Sequence, residues 1–154
     1  MGIKDTVLAQ YQQKLDQSAR QVAELGIPAE GWIRTVRKAL GMSGAQLAKR
    51  MGSSRAQVSH FEKREVAGNV TIKTLERAAA ALGCRFVYAI VPQATAADLI
   101  SKRARERAEQ IVSRANQHMA LEAQSLSQEQ IDSETAILQQ ELMRDMPADL
   151  WNDE

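Results

Sequence analysis

Five side chains that can contact DNA bases lie close together in the middle of the sequence. They are Arg55, Ala56, Gln57, Ser59 and His60, within the segment SRAQVSHFEK. An arginine fork can bind guanine O6 and N7, an amide can bind adenine, and a methyl group can contact thymine. A histidine offers a further donor for a base or a phosphate. A short helix that presents such side chains outward has the chemistry of a major-groove reader.

Two short helices separated by a Gly-Ser turn are predicted to position these residues. Ser43 is expected to cap a helix over 44–51, and Ser54 to cap a second helix over 55–63. Gln57 lies three residues after Ser54, which is the spacing of a capping box. The second helix has a thin apolar stripe and a long polar face. This layout is that of a helix-turn-helix.

Two further helices are predicted to complete a bundle over residues 30–83, with residues 63–69 as a loop. Apolar residues recur at helical spacing and predict its interior. They are Ile33, Val36, Leu40, Leu47, Ala48, Met51, Val58, Phe61, Leu75, Ala78, Ala79 and Leu82. Arg34, Arg37 and Lys38 are expected on the outside.

The charge of the chain is unevenly distributed, although its net value is only +1. Residues 31–92 carry 11 Lys/Arg and 3 Asp/Glu, a net charge of +8. Such an excess is the electrostatic footprint of a nucleic-acid binder, because each neutralised phosphate releases counterions. Residues 119–154 carry 1 Arg and 9 Asp/Glu, a net charge of −8.

Residues 84–92 change to a β-type pattern, which is rich in aromatic and β-branched residues and bounded by glycine and proline. A lone strand cannot satisfy its backbone groups, so we expect it to pair with the same strand of a second copy. The alternative is an irregular core segment or the end of a helix. The residues of the predicted dimer strand are Phe86, Val87, Tyr88, Ala89 and Ile90.

The predicted fold is therefore mainly α: a Cro/C1-type helix-turn-helix bundle, one strand in an intermolecular β-ribbon, and helical extensions at both ends. The predicted domains are the N-terminal helix 1–28, the DNA-binding domain 30–83, the dimer strand 84–92 and the C-terminal extension 94–154. A homodimer would place two recognition helices about 34–36 Å apart and read an inverted repeat in double-stranded DNA.

The acidic C-terminal extension has three interpretations. It could cover a basic surface of a partner protein, through the apolar residues Leu142, Met146, Leu150 and Trp151. It could instead fold back on the basic domain and mask its DNA face. The third interpretation is a solvated helix that keeps the protein soluble.

Several classes of function are not expected. The one cysteine, Cys84, has no nearby histidine or carboxylate, and we find no Gly-rich phosphate loop, paired-carboxylate motif or metal-ligand spacing. We therefore predict neither an enzyme nor a cofactor or metal site. The sequence shows no secretory signal and no membrane span, which predicts a cytoplasmic protein.

Residues 42–82 carry a recognisable family pattern. Its positions are Gln46-Leu47-Ala48, Gly52, Val58-Ser59, Phe61-Glu62, Leu75 and Leu82-Gly83. This pattern resembles the Cro/C1-type, or XRE-type, helix-turn-helix. The longer stretch 31–92 resembles the group called mobile mystery protein A, which is similar to toxin–antitoxin regulators and accompanies a Fic-domain protein.

These resemblances imply a DNA-binding transcription regulator, the antitoxin or autorepressor of its operon, with a Fic-domain toxin as partner. The alternative is an adaptor of little DNA specificity that neutralises such a toxin through the acidic C-terminal segment. The family pattern places Arg55, Ala56 and His60 at base-facing positions, flanked by Gln57 and Ser59. Residues near helix N-termini or in the adjacent loop would hold phosphates. They are Ser43, Gly44, Ser54, Lys63, Arg64, Thr71 and Lys73.

Overall fold

The computed structural model describes residues 2–124 and 126–153, and these residues form seven α-helices. The helices are α1 (Ile3–Val22), α2 (Trp32–Ala39), α3 (Gly44–Met51), α4 (Arg55–Ala67), α5 (Ile72–Ala81), α6 (Ala96–Leu121) and α7 (Gln128–Asp145). The chain divides into two compact units. One comprises residues 22–89, and the other combines residues 1–21 with 90–154.

Helices α2 to α5 enclose the apolar core of the unit 22–89. Its fully buried members are Ile33, Leu47, Ala48, Val58, Ala78 and Leu82, and Val36, Met51, Phe61 and Leu75 pack against them. Most of the predicted interior is therefore confirmed. Leu40 is an exception, because it is 55% exposed beside the C-cap of α2.

Helix α4 is longer than the sequence pattern predicted, since it continues through Ala67 where a loop from Lys63 was expected. Gly68 ends it in the left-handed conformation, with a φ of 80°. A glycine adopts this conformation without the steric cost that a side chain would add. The extra turn carries Glu65, whose carboxylate reaches another helix.

That carboxylate caps the N-terminus of α2. Glu65 accepts hydrogen bonds from the backbone N–H groups of Trp32 (2.6 Å) and Ile33 (2.9 Å). Gly31 makes room for it, because a Cβ there would lie 2.9 Å from Glu65 Oε1. Glu65 thus accepts hydrogen bonds from two backbone N–H groups that have no acceptor within their own helix.

The predicted strand is not confirmed: none of the residues that the structure describes forms a β-strand. Residues 84–92 have no regular secondary structure, with Val87 66% and Ile90 88% exposed. A strand needs hydrogen bonds to a neighbouring strand, and residues 2–124 and 126–153 include none. The rings of Phe86 and Tyr88 are stacked, with 6.1 Å between their centroids, as expected for alternate side chains on one side of an extended chain.

In the other unit, α6 and α7 pack side by side in opposite directions. Gln139 Nε2 donates to the backbone oxygen of Ser101 (3.0 Å), and at the connected ends Leu126 N–H donates to Asn116 Oδ1 (2.9 Å). Small side chains allow a close approach, since Ala104 and Ala108 are fully buried.

Helix α1 joins the unit formed by α6 and α7 from the other end of the sequence. Asp16 Oδ1 accepts a hydrogen bond from the N–H of Ala96, the first residue of α6 (2.8 Å). The apolar residues of α1 are only partly covered, because Leu8 and Leu15 are half-buried but Tyr11 is 73% exposed.

The acidic tail is packed against α6 rather than extended. Leu150 is only 1% exposed, and its backbone oxygen accepts a hydrogen bond from Arg103 Nε (2.7 Å). Arg103 also donates to the backbone oxygen of Asn152 (2.6 Å), and its guanidinium lies 6.0 Å from the ring centroid of Trp151. Across the part of the chain that the structure describes, no helix is both long and apolar enough to span a bilayer.

Candidate nucleic-acid interface

The N-terminus of α4 is fixed by the predicted capping box. Ser54 Oγ accepts the N–H of Gln57 (3.1 Å), and Gln57 Oε1 accepts the N–H of Ser54 (3.2 Å). The hydroxyl of Ser53 donates to the same amide oxygen. On the inner face, Val58 is 1% exposed and Phe61 packs against the core. The helix is therefore held at its first turn and along its buried stripe.

All five predicted base-reading residues lie on the exposed side of α4. Arg55 and Ser59 are four residues apart, as are Ala56 and His60, so they form two adjacent rows over the first two turns. The sequence prediction of an outward polar face is confirmed in its geometry. Whether each residue contacts a base stays a prediction.

Gln57 has less freedom for base contacts than its neighbours. Its amide oxygen already accepts from Ser54 and Ser53. A bidentate contact with adenine requires both the oxygen and the nitrogen of the amide. Gln57 therefore keeps its NH₂ group as the donor available to DNA, and its oxygen serves the helix.

The N-terminus of α3 lies next to Arg55. Ser43 and Gln46 form a second capping box there, with Ser43 Oγ accepting the N–H of Gln46 at 3.1 Å. A Cβ added to Gly44 would lie 3.9 Å from Cγ of Arg55. A candidate base reader and a helix N-terminus suited to a phosphate are thus adjacent.

The predicted phosphate contacts fall into two chemical groups. The hydroxyl oxygens of Ser43, Ser54 and Thr71 accept hydrogen bonds as N-caps, and the hydroxyl of Thr71 also donates to Thr74 Oγ1 at 2.9 Å. A serine hydroxyl that accepts from the backbone still has its own proton to donate to a phosphate. Lys63, Arg64 and Lys73 contribute exposed positive charge.

Some basic residues of the unit 22–89 form ion pairs with acidic residues, and others do not. Arg34 and Lys38 pair with Glu30 at 3.5 and 3.0 Å. Among the described residues, no acidic partner lies within ion-pair distance of the exposed side chains that α4 and its surroundings present. These side chains are Arg55, Lys63, Arg64 and Lys73. Positive charge is therefore left uncompensated around the candidate base readers.

The most buried ion pair of this unit joins α2 to α4. Arg37 Nε lies 2.7 Å from Glu62 Oε1, and both side chains are mostly buried. The hydrogen bond that Arg37 donates to Glu62 raises the pKa of Arg37, and the hydrogen bond that Lys38 donates to Glu30 lowers the pKa of Glu30. Sequence reasoning missed this pair and placed Arg37 outside, because its partner lies 25 residues away.

Residues 33–88 match the model of the helix-turn-helix family HTH_3. The chain therefore contains an XRE-type helix-turn-helix domain, and this domain supports a DNA-binding transcription regulator. Neither the comparison with curated proteins nor the comparison with solved structures found a match. The finer resemblance to mobile mystery protein A has no support from these comparisons and stays a prediction.

Proposed function

We propose that this protein is a sequence-specific transcription regulator that binds an inverted repeat in double-stranded DNA as a homodimer. The observation that supports it best is α4, which is capped at its first turn and presents five exposed side chains of base-reading types. Uncompensated cations beside that helix supply the attraction to phosphates. Occlusion of a promoter by such a dimer would repress its own operon.

The test is binding of the purified protein to its own upstream DNA and to a scrambled duplex, over a series of salt concentrations. We expect tighter binding to the upstream DNA at every salt concentration, with an affinity that falls linearly on a logarithmic plot against salt. Equal affinity for both duplexes at every salt concentration would refute the proposed sequence specificity.

Dimerisation is proposed to use the exposed apolar residues of the segment after α5. Val87, Tyr88 and Ile90 lie close together in sequence and are all more than 60% exposed. Apolar side chains grouped at a surface mark interaction sites, because a partner that covers them removes apolar surface from water. A second copy would cover these residues and bring two α4 helices to one DNA molecule.

Val87→Asp should therefore give a monomer with weak affinity for the inverted repeat, since a buried carboxylate without a partner opposes association. Sedimentation velocity and DNA titration measure both effects. Ile27→Asp is the matched control, because Ile27 is also exposed (69%) but lies outside both α4 and the segment after α5. A Val87→Asp protein that remains dimeric would rule out this interface.

The antitoxin role and the Fic-domain partner rest on the sequence resemblance alone. Their test is co-expression. A Fic-domain toxin that arrests growth when produced alone should not do so when this protein is produced with it.

A further inference from the structure

An apolar groove runs along the surface between α6 and α7, within one compact unit. Its volume is about 400 Å³. Val112 and Leu138 contribute to its lining, together with Ile111 and Ile137. Ile111 is 39% and Ile137 is 54% exposed, so the described part of the chain leaves apolar side chains of the groove uncovered.

The charged residues of the groove are both acidic. Glu134 and Glu141 line it and are spaced by seven residues, which places them two turns apart on one edge of α7. Neither forms an ion pair with any residue that the structure describes. Arg144 lies one turn beyond Glu141 but pairs with Asp145 at 3.0 Å. Both carboxylates therefore stay without an ion-pair partner among the described residues, although Glu141, after Asp145, also raises the pKa of Arg144.

The geometry points to a helix as the occupant. A groove between two packed helices accepts a third helix through ridges of side chains, and two turns of α7 correspond to about 10 Å of length. A helical ligand would place apolar residues at positions i, i+3 or i+4, and i+7 in such a groove.

The charge of the edge selects the kind of helix. Residues 119–154 carry a net charge of −8, so a second copy of this segment would be repelled. A helix with lysine or arginine beside its apolar stripe would instead pair with Glu134 and Glu141. We propose that this groove binds a basic amphipathic helix of another protein. The inference goes beyond DNA binding and uses none of the residues of α4.

The probes are synthetic amphipathic helical peptides that differ in the spacing of the leucines in their apolar stripe. Each peptide is made once with lysine beside the stripe and once, as a matched partner, with glutamate there. Binding to the full chain is measured by fluorescence anisotropy. We expect micromolar binding of at least one lysine peptide, and a loss of roughly tenfold or more with Ile137→Asp or with Glu134→Lys/Glu141→Lys. The charge-reversed protein should gain affinity for the corresponding glutamate peptide.

Glu122→Lys/Asp149→Lys is the matched control, because it makes the same charge change at two exposed acids that do not line the groove. It should keep the affinity within about twofold. Circular dichroism verifies that each variant remains helical, and DNA binding should be unchanged in all of them.

Three results would overturn the proposal. The first is that no lysine peptide binds at concentrations up to about 1 mM, where a specific helix–groove contact would be detected. The second is that the control loses as much affinity as the groove variants, which would indicate charge attraction alone. The third is that the wild-type protein self-associates and becomes monomeric with Ile137→Asp, which would make a second copy the occupant. The first two results would leave the DNA-binding proposal unaffected.

Discussion

Arg55 combines exposure, an adjacent helix N-terminus and the absence of any acidic partner among the described residues. Replacing it with alanine should cost about 1–3 kcal/mol of binding free energy and relax the preference at one base pair. Arg55→Lys keeps the charge but loses the planar fork, so it should bind DNA with less discrimination. Titrations against the upstream site and its single-base variants measure both effects.

Arg34→Ala is the control for Arg55, because Arg34 is also exposed but lies on α2 and pairs with Glu30. It should change DNA affinity little. An equal loss from both substitutions would mean that charge alone, and not the position on α4, determines binding.

Gln57 allows capping and base contact to be separated within one side chain. Gln57→Glu keeps an oxygen for the N–H of Ser54, and a carboxylate suits the first turn of a helix. We expect its thermal stability to match the wild type while its DNA affinity falls, because the NH₂ donor is lost and a negative charge is added. Gln57→Ala should lower both. An unchanged affinity of Gln57→Glu would assign this residue to capping only.

At the scale of elements, Glu65 connects the end of α4 to the start of α2. Glu65→Ala should lower the free energy of unfolding by about 1–3 kcal/mol, because two amides lose charged acceptors. Glu65→Gln keeps one amide oxygen and should lose less. Chemical denaturation measures both, with Glu76→Ala as control, since Glu76 is exposed and forms no ion pair within the described residues. Equal stability of Glu65→Ala and Glu76→Ala would contradict this role.

The sequence predicts well those features that are set by contacts between residues close together in the chain. The capping boxes at Ser43 and Ser54 need only a partner three residues away, so both helix starts were predicted correctly. Contacts over longer separations were missed, such as Glu65 with α2 across 33 residues. The predicted strand had the right composition, but composition does not supply the neighbouring strand that pairing requires. The five candidate base readers can be named from the sequence because their pattern lies within one helix, and their contacts with DNA stay a prediction.

At the scale of the whole molecule, the two compact units are formed by different parts of the sequence. The unit 22–89 is one continuous stretch, whereas the other takes residues from both ends of the chain. The predicted partner residue Leu150 is buried within that second unit, and Leu142 and Met146 are half-buried, while Trp151 remains 57% exposed. Leu150 therefore serves the packing of its own unit, and an arm built on it would first have to leave α6.

Arg103 tests that packing because it donates to two backbone oxygens of the tail and lies against the ring of Trp151. It also forms an ion pair with the carboxylate of Asp153 at 3.3 Å. Arg103→Met keeps the length of the side chain but removes the donors to Leu150 and Asn152, so the unit should lose about 2–3 kcal/mol. In a Trp32→Phe background, the emission of Trp151 should shift to longer wavelength as the tail leaves α6. Arg105→Met is the control, since Arg105 is exposed and pairs with Glu109 on its own helix. DNA binding through the unit 22–89 should persist in both variants, and an unchanged Trp151 emission in Arg103→Met would show that Leu150 alone holds the tail.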